Sequence, residues 1–369
     1  MTIQANQLAD LVLSTLPDLG RLRYEDIASK YETYHFCDYF LNSDVVREDG
    51  GVSIRRNAMV KPGGNAAAVG LYATDNTTVT DAMAYSSTPW THFVTSYAID
   101  HHEVDMNNGD EFKILDILNE RRNMEMLGLL EMLELMFWGQ PSSSSDVTSM
   151  YGLQYWLTAG AGAGDTTNPN HGAFNGGNNS NFASGPGGLN CSTVYNNNWN
   201  NYTNNYANPS FTDLIPKLRD AFLYTGFKSP KRMSVPEYST TPGDAGRGPM
   251  AESPYVIYTP LKITGQLEQV MAMRNDAVVN NDLSFGADAQ LLFRRVPMYG
   301  IAQLDAQTKN PIYMLNRSTW EFPILKGWNF KEYIQANVSG QHNVTRTYID
   351  LSANLVCLNR RKNALLQNA

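Results

Sequence analysis

The chain has 369 residues, with 28 Lys and Arg against 36 Asp and Glu for a net charge of −8; 17% of residues are charged, 42% hydrophobic and 11% aromatic. That balance excludes a disordered chain and argues against a protein that grips duplex nucleic acid through cationic groups. No run nears the roughly 18–20 apolar residues of a membrane helix, and the start, Met1-Thr2-Ile3-Gln4-Ala5-Asn6, lacks the basic and apolar regions of a secretory leader.

Length suggests two domains, or one with large excursions. Cys37, Cys191 and Cys357 are far apart and odd in number, which fits a reducing compartment and gives neither a zinc framework nor a disulfide scaffold. Uncharged polar residues are abundant: 15 of the 36 Asn lie between Asn168 and Asn208.

In chain order, Leu8, Leu11, Val12, Thr15 and Leu16 have helical spacing, and Pro17 stops the pattern. Tyr31, Tyr34, Phe36, Tyr39 and Phe40 follow without a core of their own. They are expected to pack on another element, in this subunit or another. Val52 to Val60 and Ala67 to Thr74 read as the strands of a hairpin, joined by the turn Lys61-Pro62-Gly63-Gly64-Asn65. Both are weakly hydrophobic, so an extended arm lying over a neighbour is expected. Trp90 to Met106 reads as a longer strand covered on both sides.

Lys113 to Trp138 is the strongest helix, N-capped by Asp110, with Gly128 its weak point and Gly139 and Pro141 its end. It would be roughly 40 Å long, a strut for a whole domain. From Ser142 to about Pro209 the composition is that of loops, interrupted by Tyr151 to Leu157. Ser210 with Asp213 resembles a capping box for a helix through Leu214, Leu218 and Phe222 to Gly226. A short strand is expected at Met233 to Tyr238. Tyr255 to Tyr258 is a buried strand, followed by a helix through Leu267, Val270, Met271 and Arg274. Strands at Leu291 to Val296, Met298 to Leu304 and Ile312 to Leu315 complete an α/β unit. The end is β again: Trp320 to Leu325, Asn343 to Leu351 and Asn354 to Leu358.

No segment carries a catalytic signature. His101 and His102, read as strand residues, point to opposite faces and cannot share a metal. Cys37, Cys191 and Cys357 have no local Cys–His motif, and buried or idle thiols are expected. Gly160 to Gly164 alternates Gly and Ala without a preceding strand or a Gly-Lys-Ser/Thr, so it reads as a flexible loop. Arg360-Arg361-Lys362 reads as a solvated or subunit-contact patch, and Arg55-Arg56 and Arg294-Arg295 as candidates for ion pairs. The expectation is a protein that is not an enzyme and needs no cofactor or metal.

The order of arm, hairpin, long helix, α/β module and β return resembles the tailed-phage major capsid protein of the Hong Kong 97 type. The likeness extends to motifs in sequence: Leu135-Met136-Phe137-Trp138 with Pro141-Ser142-Ser143, Gly152-Leu153-Gln154-Tyr155-Trp156, and Phe174-Asn175-Gly176-Gly177. Further along stand Trp199 and Tyr202, Asp213-Leu214-Ile215 with Lys217, and Asn310-Pro311-Ile312-Tyr313. Gly340-Gln341-His342-Asn343-Val344, Tyr348-Ile349-Asp350 and Asn354-Leu355-Val356-Cys357 before Arg360-Arg361 complete the series.

The resemblance implies an α+β capsid fold in five parts. These are an N-terminal arm over 1–47, an E-loop hairpin with flanks over 48–88, and a P-domain strand and spine helix over 89–141. An α/β A-domain with an Asn/Gly-rich loop insertion covers 142–318, and a return to the P-domain sheet covers 319–369. It also implies a shell of pentons and hexons around double-stranded DNA. The expected partners are the chain itself, a portal, and a separate scaffolding or decoration protein or none, with no membrane and no sequence-specific DNA binding. The expected location is the virion, after assembly in the host bacterial cytoplasm.

Intersubunit contacts are expected at the E-loop tip (Lys61, Pro62, Gly63, Gly64, Asn65), at Arg55 and Arg56, and at Tyr31, Tyr34, Phe36, Trp199 and Tyr202. Some relatives join subunits through a Lys–Asn isopeptide, and Lys61 stands at the corresponding place. The Asn-rich segment would hydrogen-bond copies of itself around a symmetry axis without like-charge repulsion. The rival readings are an encapsulin-like compartment shell, a secreted Asn/Gly-rich carbohydrate-binding protein, and an enzyme with an unrecognised Cys/His or carboxylate site.

Overall fold

The computed structural model describes residues 34–41, 46–60, 65–71, 78, 83–106, 111–160, 174–192, 196–226, 255–273, 283–285, 291–335 and 343–369. The expected helix over Leu8 to Leu16 and the strand at Met233 to Tyr238 lie outside them. The chain forms two compact units.

The first unit is Met1–Gly50, Trp90–Leu135 and Pro323–Asn354. Its central strand, Val344–Ala353, pairs antiparallel with Thr91–Asp100 along its whole length, from Val344 opposite Asp100 to Ala353 opposite Thr91. Lys331–Gln335 pairs with it as well, and Ile324 meets Ala353. This register puts Phe93 beside Leu351 and Thr95 beside Ile349, and the three apolar members of this set are buried. The long helix Glu111–Phe137 reaches that face by polar contacts: Thr95 Oγ1 donates to Glu125, and Arg121 Nη1 donates to Ala98 O at 3.0 Å. At 27 residues the helix is about 40 Å long, and Gly128 does not interrupt it. Phe36 N, at the head of the segment 34–41, donates to the buried Glu134 carboxylate at 2.8 Å.

The second unit is Gly51–Pro89, Met136–Phe322 and Leu355–Ala369. Its seven-stranded sheet runs Tyr202–Tyr206, Ala364–Asn368, Ile312–Asn316, Tyr255–Pro260, Val296–Ile301, Leu291–Phe293, Leu283–Phe285. Tyr255–Pro260 and Val296–Ile301 are parallel neighbours, and the connection between them includes the helix Leu261–Met273 and the strands Leu283–Phe285 and Leu291–Phe293. The two central strands Tyr255–Pro260 and Ile312–Asn316 are buried at every residue, which explains their continuous apolar and aromatic sequence. A second helix, Leu214–Thr225, buries Leu214, Leu218 and Ala221 against Ile257 and Leu366.

Several expectations differ from the structure. Residues 67–71 are not a strand; the partner of Ile54–Met59 is Met83–Thr88, paired antiparallel from Ile54–Thr88 to Met59–Met83. The hidden face of that strand carries Ser86 and Thr88, so no apolar alternation marks it. The strand expected over Trp90 to Met106 ends at Asp100, and His101–Met106 is a helix. His101 and His102 are both exposed on its first turn, and His102 pairs with Asp100 at 3.0 Å. The segment 319–369 is divided: Leu355–Ala369 lies in the second unit, where Ala364–Asn368 fills a slot between two strands.

Asp213 departs from the capping box. Its carboxylate accepts from Asn208 N at 2.9 Å and from Ala207 N, and pairs with Lys217. The Lys217 ammonium and then these two amides lower its pKa to about 2. The folded value lies below the unfolded value of about 3.9. The stabilisation is therefore present above about pH 4 and is lost as pH falls through about 2. Asp213→Asn is expected to show a smaller fall in Tm between pH 5 and pH 2 than the parent; equal falls would assign the acid sensitivity elsewhere.

Candidate assembly surface

The hairpin Ile54–Met59/Met83–Thr88 presents two unlike faces. Register places Arg55 opposite Ser87, Asn57 opposite Tyr85 and Met59 opposite Met83. Met59, Met83 and Tyr85 of this face are 51%, 60% and 57% exposed, and the Arg55 guanidinium lies 5.4 Å from the Tyr85 ring centroid. Val52, Val69 and Leu71 of the same unit are exposed as well. Clustered large apolar groups left in water are the signature of a surface that gains by being covered.

The opposite face is used inside the unit. Ile54 is buried, and Arg56 Nε donates to Glu321 at 2.8 Å. Ser86 meets the turn Pro186–Gly188, where Gly187 has φ +68° and a Cβ would come within 3.0 Å of Ser86 Cβ. Only small residues allow that approach. Val60 O accepts from Asn198 Nδ2 at 2.7 Å. Further out, the Asn65 amide imitates a strand pairing: it donates to Thr78 O at 2.7 Å and accepts from Thr78 N at 3.1 Å.

Arg55 and Asn65 are exposed and Tyr34 half-buried, whereas Arg56 is spent on Glu321. Phe36, Trp199 and Tyr202 are 0%, 4% and 2% exposed. Their rings are buried within this chain. Tyr31, Lys61, Pro62, Gly63 and Gly64 lie outside the described residues.

The basic run is not a solvated patch: Arg360 and Lys362 are buried. Arg360 is 0% exposed, and its five N–H groups point into a cage of acceptors. Nη1 reaches Trp199 O at 2.9 Å and Cys191 Sγ at 3.1 Å; Nη2 reaches Asn201 Oδ1 at 2.9 Å, Gly177 O at 3.2 Å and Thr158 Oγ1 at 3.3 Å; Nε donates to Trp156 O. Arg361 lies over the Phe174 ring at 4.7 Å. Carbonyl dipoles converging on one guanidinium offset the cost of removing its charge from water.

Some asparagines are interior parts as well: Asn179, Asn200 and Asn201 of the Asn-rich segment are buried, whereas Asn181, Asn205 and Asn208 are exposed. Asn201 accepts from Thr158 N at 3.2 Å and donates to Thr158 O at 3.0 Å. Asn363 accepts from Asn316 N at 2.9 Å and Trp320 Nε1 at 3.0 Å. Each serves peptide groups that no sheet ladder reaches.

No group of three or more His, Cys, Asp or Glu fit for a metal occurs among the described residues. Burial, followed by the Glu134 charge, pushes the Cys37 thiol up, and burial raises Cys357 to about 12. Both are protonated at neutral pH and are poor nucleophiles.

No family model matches the sequence, and no curated protein matches it. Solved structures do match, over nearly the whole chain. A chain of the cyanophage A-1(L) capsid asymmetric unit aligns over 94% of this chain and 95% of its own, with a TM-score of 0.60 and 12% identity. The fold is the Hong Kong 97-type capsid fold. The same capsid fold aligns with the capsid of the native GTA particle at TM-score 0.53 and 9% identity, over 95% of this chain and 96% of that one. The holo-SrpI encapsulin complex from Synechococcus elongatus PCC 7942 aligns at TM-score 0.50 and 9% identity, over 100% and 96%. At such identity the likeness shows the fold alone.

Proposed function

We propose that the chain is the major capsid protein of a tailed bacteriophage and assembles with copies of itself into the pentons and hexons of an icosahedral shell around double-stranded DNA. The observation that carries this is the end-to-end likeness to a phage capsid chain at TM-score 0.60. The hairpin supports it independently, because Met59, Met83 and Tyr85 stay exposed in a lone subunit. A second copy is the partner that would cover them. A net charge of −8 suits a shell that must release its genome. On this reading the subunit acts in the virion after assembly in the host bacterial cytoplasm, beside a portal and, where one exists, a scaffolding or decoration protein.

The full-length chain, purified and concentrated with and without its candidate scaffold, is expected to show capsomers or shells by negative-stain microscopy. A monodisperse monomer under every condition would overturn the proposal. The likeness to the encapsulin complex favours one other reading, a compartment shell around protein cargo. The contents of shells made in the native host separate the two: DNA for a capsid, a cargo protein for a compartment.

A further inference from the structure

The hairpin, the Asn-rich tract and the basic run form one chain of contacts within the second unit. Arg360 closes the tract by bonding to Trp156, Gly177, Trp199 and Asn201, four positions far apart in the sequence. Its neighbour Arg361 donates from Nη1 to Asn198 Oδ1 at 3.4 Å. The other end of the same amide donates from Nδ2 to Val60 O at 2.7 Å, where the first hairpin strand ends. The tract's turn at Gly187 abuts Ser86 on the second hairpin strand. The described hairpin therefore rests on the tract at one point on each strand, and the tract is held by two consecutive arginines.

We infer that Arg361 and Asn198 are positioning residues for the hairpin arm. They fix the angle at which its exposed apolar face is offered to the next subunit, and Arg360 holds the platform on which they stand. The physical ground is the distribution of bonds. A two-stranded ribbon is marginal by itself, so its orientation is set by what its base touches. The Asn198 amide is a two-ended connector: one end is fixed by a half-buried cation and the other by the hairpin backbone. Turning it away would leave Val60 O and the Arg361 guanidinium each short of a partner. This inference rests on the assembly role for its consequence, though not for its geometry.

The test uses the full-length, unassembled subunit with hydrogen exchange followed by mass spectrometry. Asn198→Asp keeps an acceptor for Arg361 and loses the donor to Val60 O. It is expected to speed exchange of the amides in 54–60 and 83–88 roughly tenfold, while those in 91–100 and 344–353 keep their rates. Arg361→Gln is expected to do the same. The subunit concentration at which shells appear should rise by a similar factor. Unchanged hairpin exchange in Asn198→Asp would overturn the inference, as would an equal acceleration in both units, which marks a merely destabilised chain. Should Arg361→Gln fail to fold, the Asn198→Asp result decides alone. If the parent chain never forms shells, the capsid reading falls while the exchange comparison still judges the coupling.

Discussion

Arg360→Met is expected to cost about 2–6 kcal/mol, from at least two buried carbonyls left without a donor at about 1–3 kcal/mol each, and this is a large part of a total stability of about 5–15 kcal/mol. Met keeps the unbranched apolar stem but ends short of the guanidinium, so a small packing loss accompanies the lost bonds. What is lost is five donors. Trp156 and Trp199 are buried, and each buried carbonyl left without a donor costs about 1–3 kcal/mol. Arg360→Lys keeps the charge but offers three donors without the planar fork, and an intermediate loss of about 2 kcal/mol is expected. Urea unfolding followed by tryptophan fluorescence measures both, since Trp156 and Trp199 stand at the cage. A Met variant within about 1 kcal/mol of the parent would show that the carbonyls find other donors and that the cage is dispensable.

Gly152→Ala has the second largest expected effect, and with a sign opposite to what backbone entropy dictates. Gly152 has φ −76°, which any residue adopts, so Ala there should stabilise by about 0.4–1 kcal/mol through the unfolded chain. The surroundings forbid it. The carbonyls of Met136, Phe137 and Gly139, at the end of the long helix, converge on this α-carbon, and a Cβ would stand closer than 3.0 Å to all three. Backbone cannot step aside as a side chain can. The shift would pass into Leu153, Tyr155 and Trp156, all buried, and through Trp156 O to Arg360. A loss of about 3 kcal/mol or more is expected. Gly128→Ala is the matched control: the site is exposed in mid-helix with nothing within 4 Å of a new Cβ, and a gain of about 1 kcal/mol is expected. Thermal unfolding of the pair is decisive. A Gly152→Ala Tm at or above that of the parent would mean that the helix end and Gly152 do not approach this closely.

These two residues mark the limit of what was legible. Gly152 stood in a recognisable motif, but nothing local distinguished it from a loop glycine. Its constraint comes from a helix end more than ten residues earlier. Arg360-Arg361 read as a solvated patch because two adjacent arginines usually are. Their carbonyl partners lie more than 150 positions upstream and carry no charge that a sequence pattern could detect. The hairpin shows the converse. Ile54–Met59 is legible as a strand, but its partner is not Ala67 to Thr74: Met83–Thr88 hides serine and threonine instead of aliphatic side chains.

The sequence by itself determined the elements whose signal is periodic and local. The long helix, the buried strands at Tyr255 and Ile312 and the strand Trp320–Leu325 are written in the spacing of apolar groups, because each must bury its own face to exist. The order of those elements also carried the likeness to the capsid fold. Only the tertiary structure decided which polar residues are interior. An asparagine or arginine costs several kcal/mol to bury alone and little when every donor and acceptor is met. Whether they are met depends on backbone brought from elsewhere. Asn201 of the Asn-rich tract is thus an internal fastening for Arg360, and the hairpin face bearing Met59, Met83 and Tyr85 stays exposed.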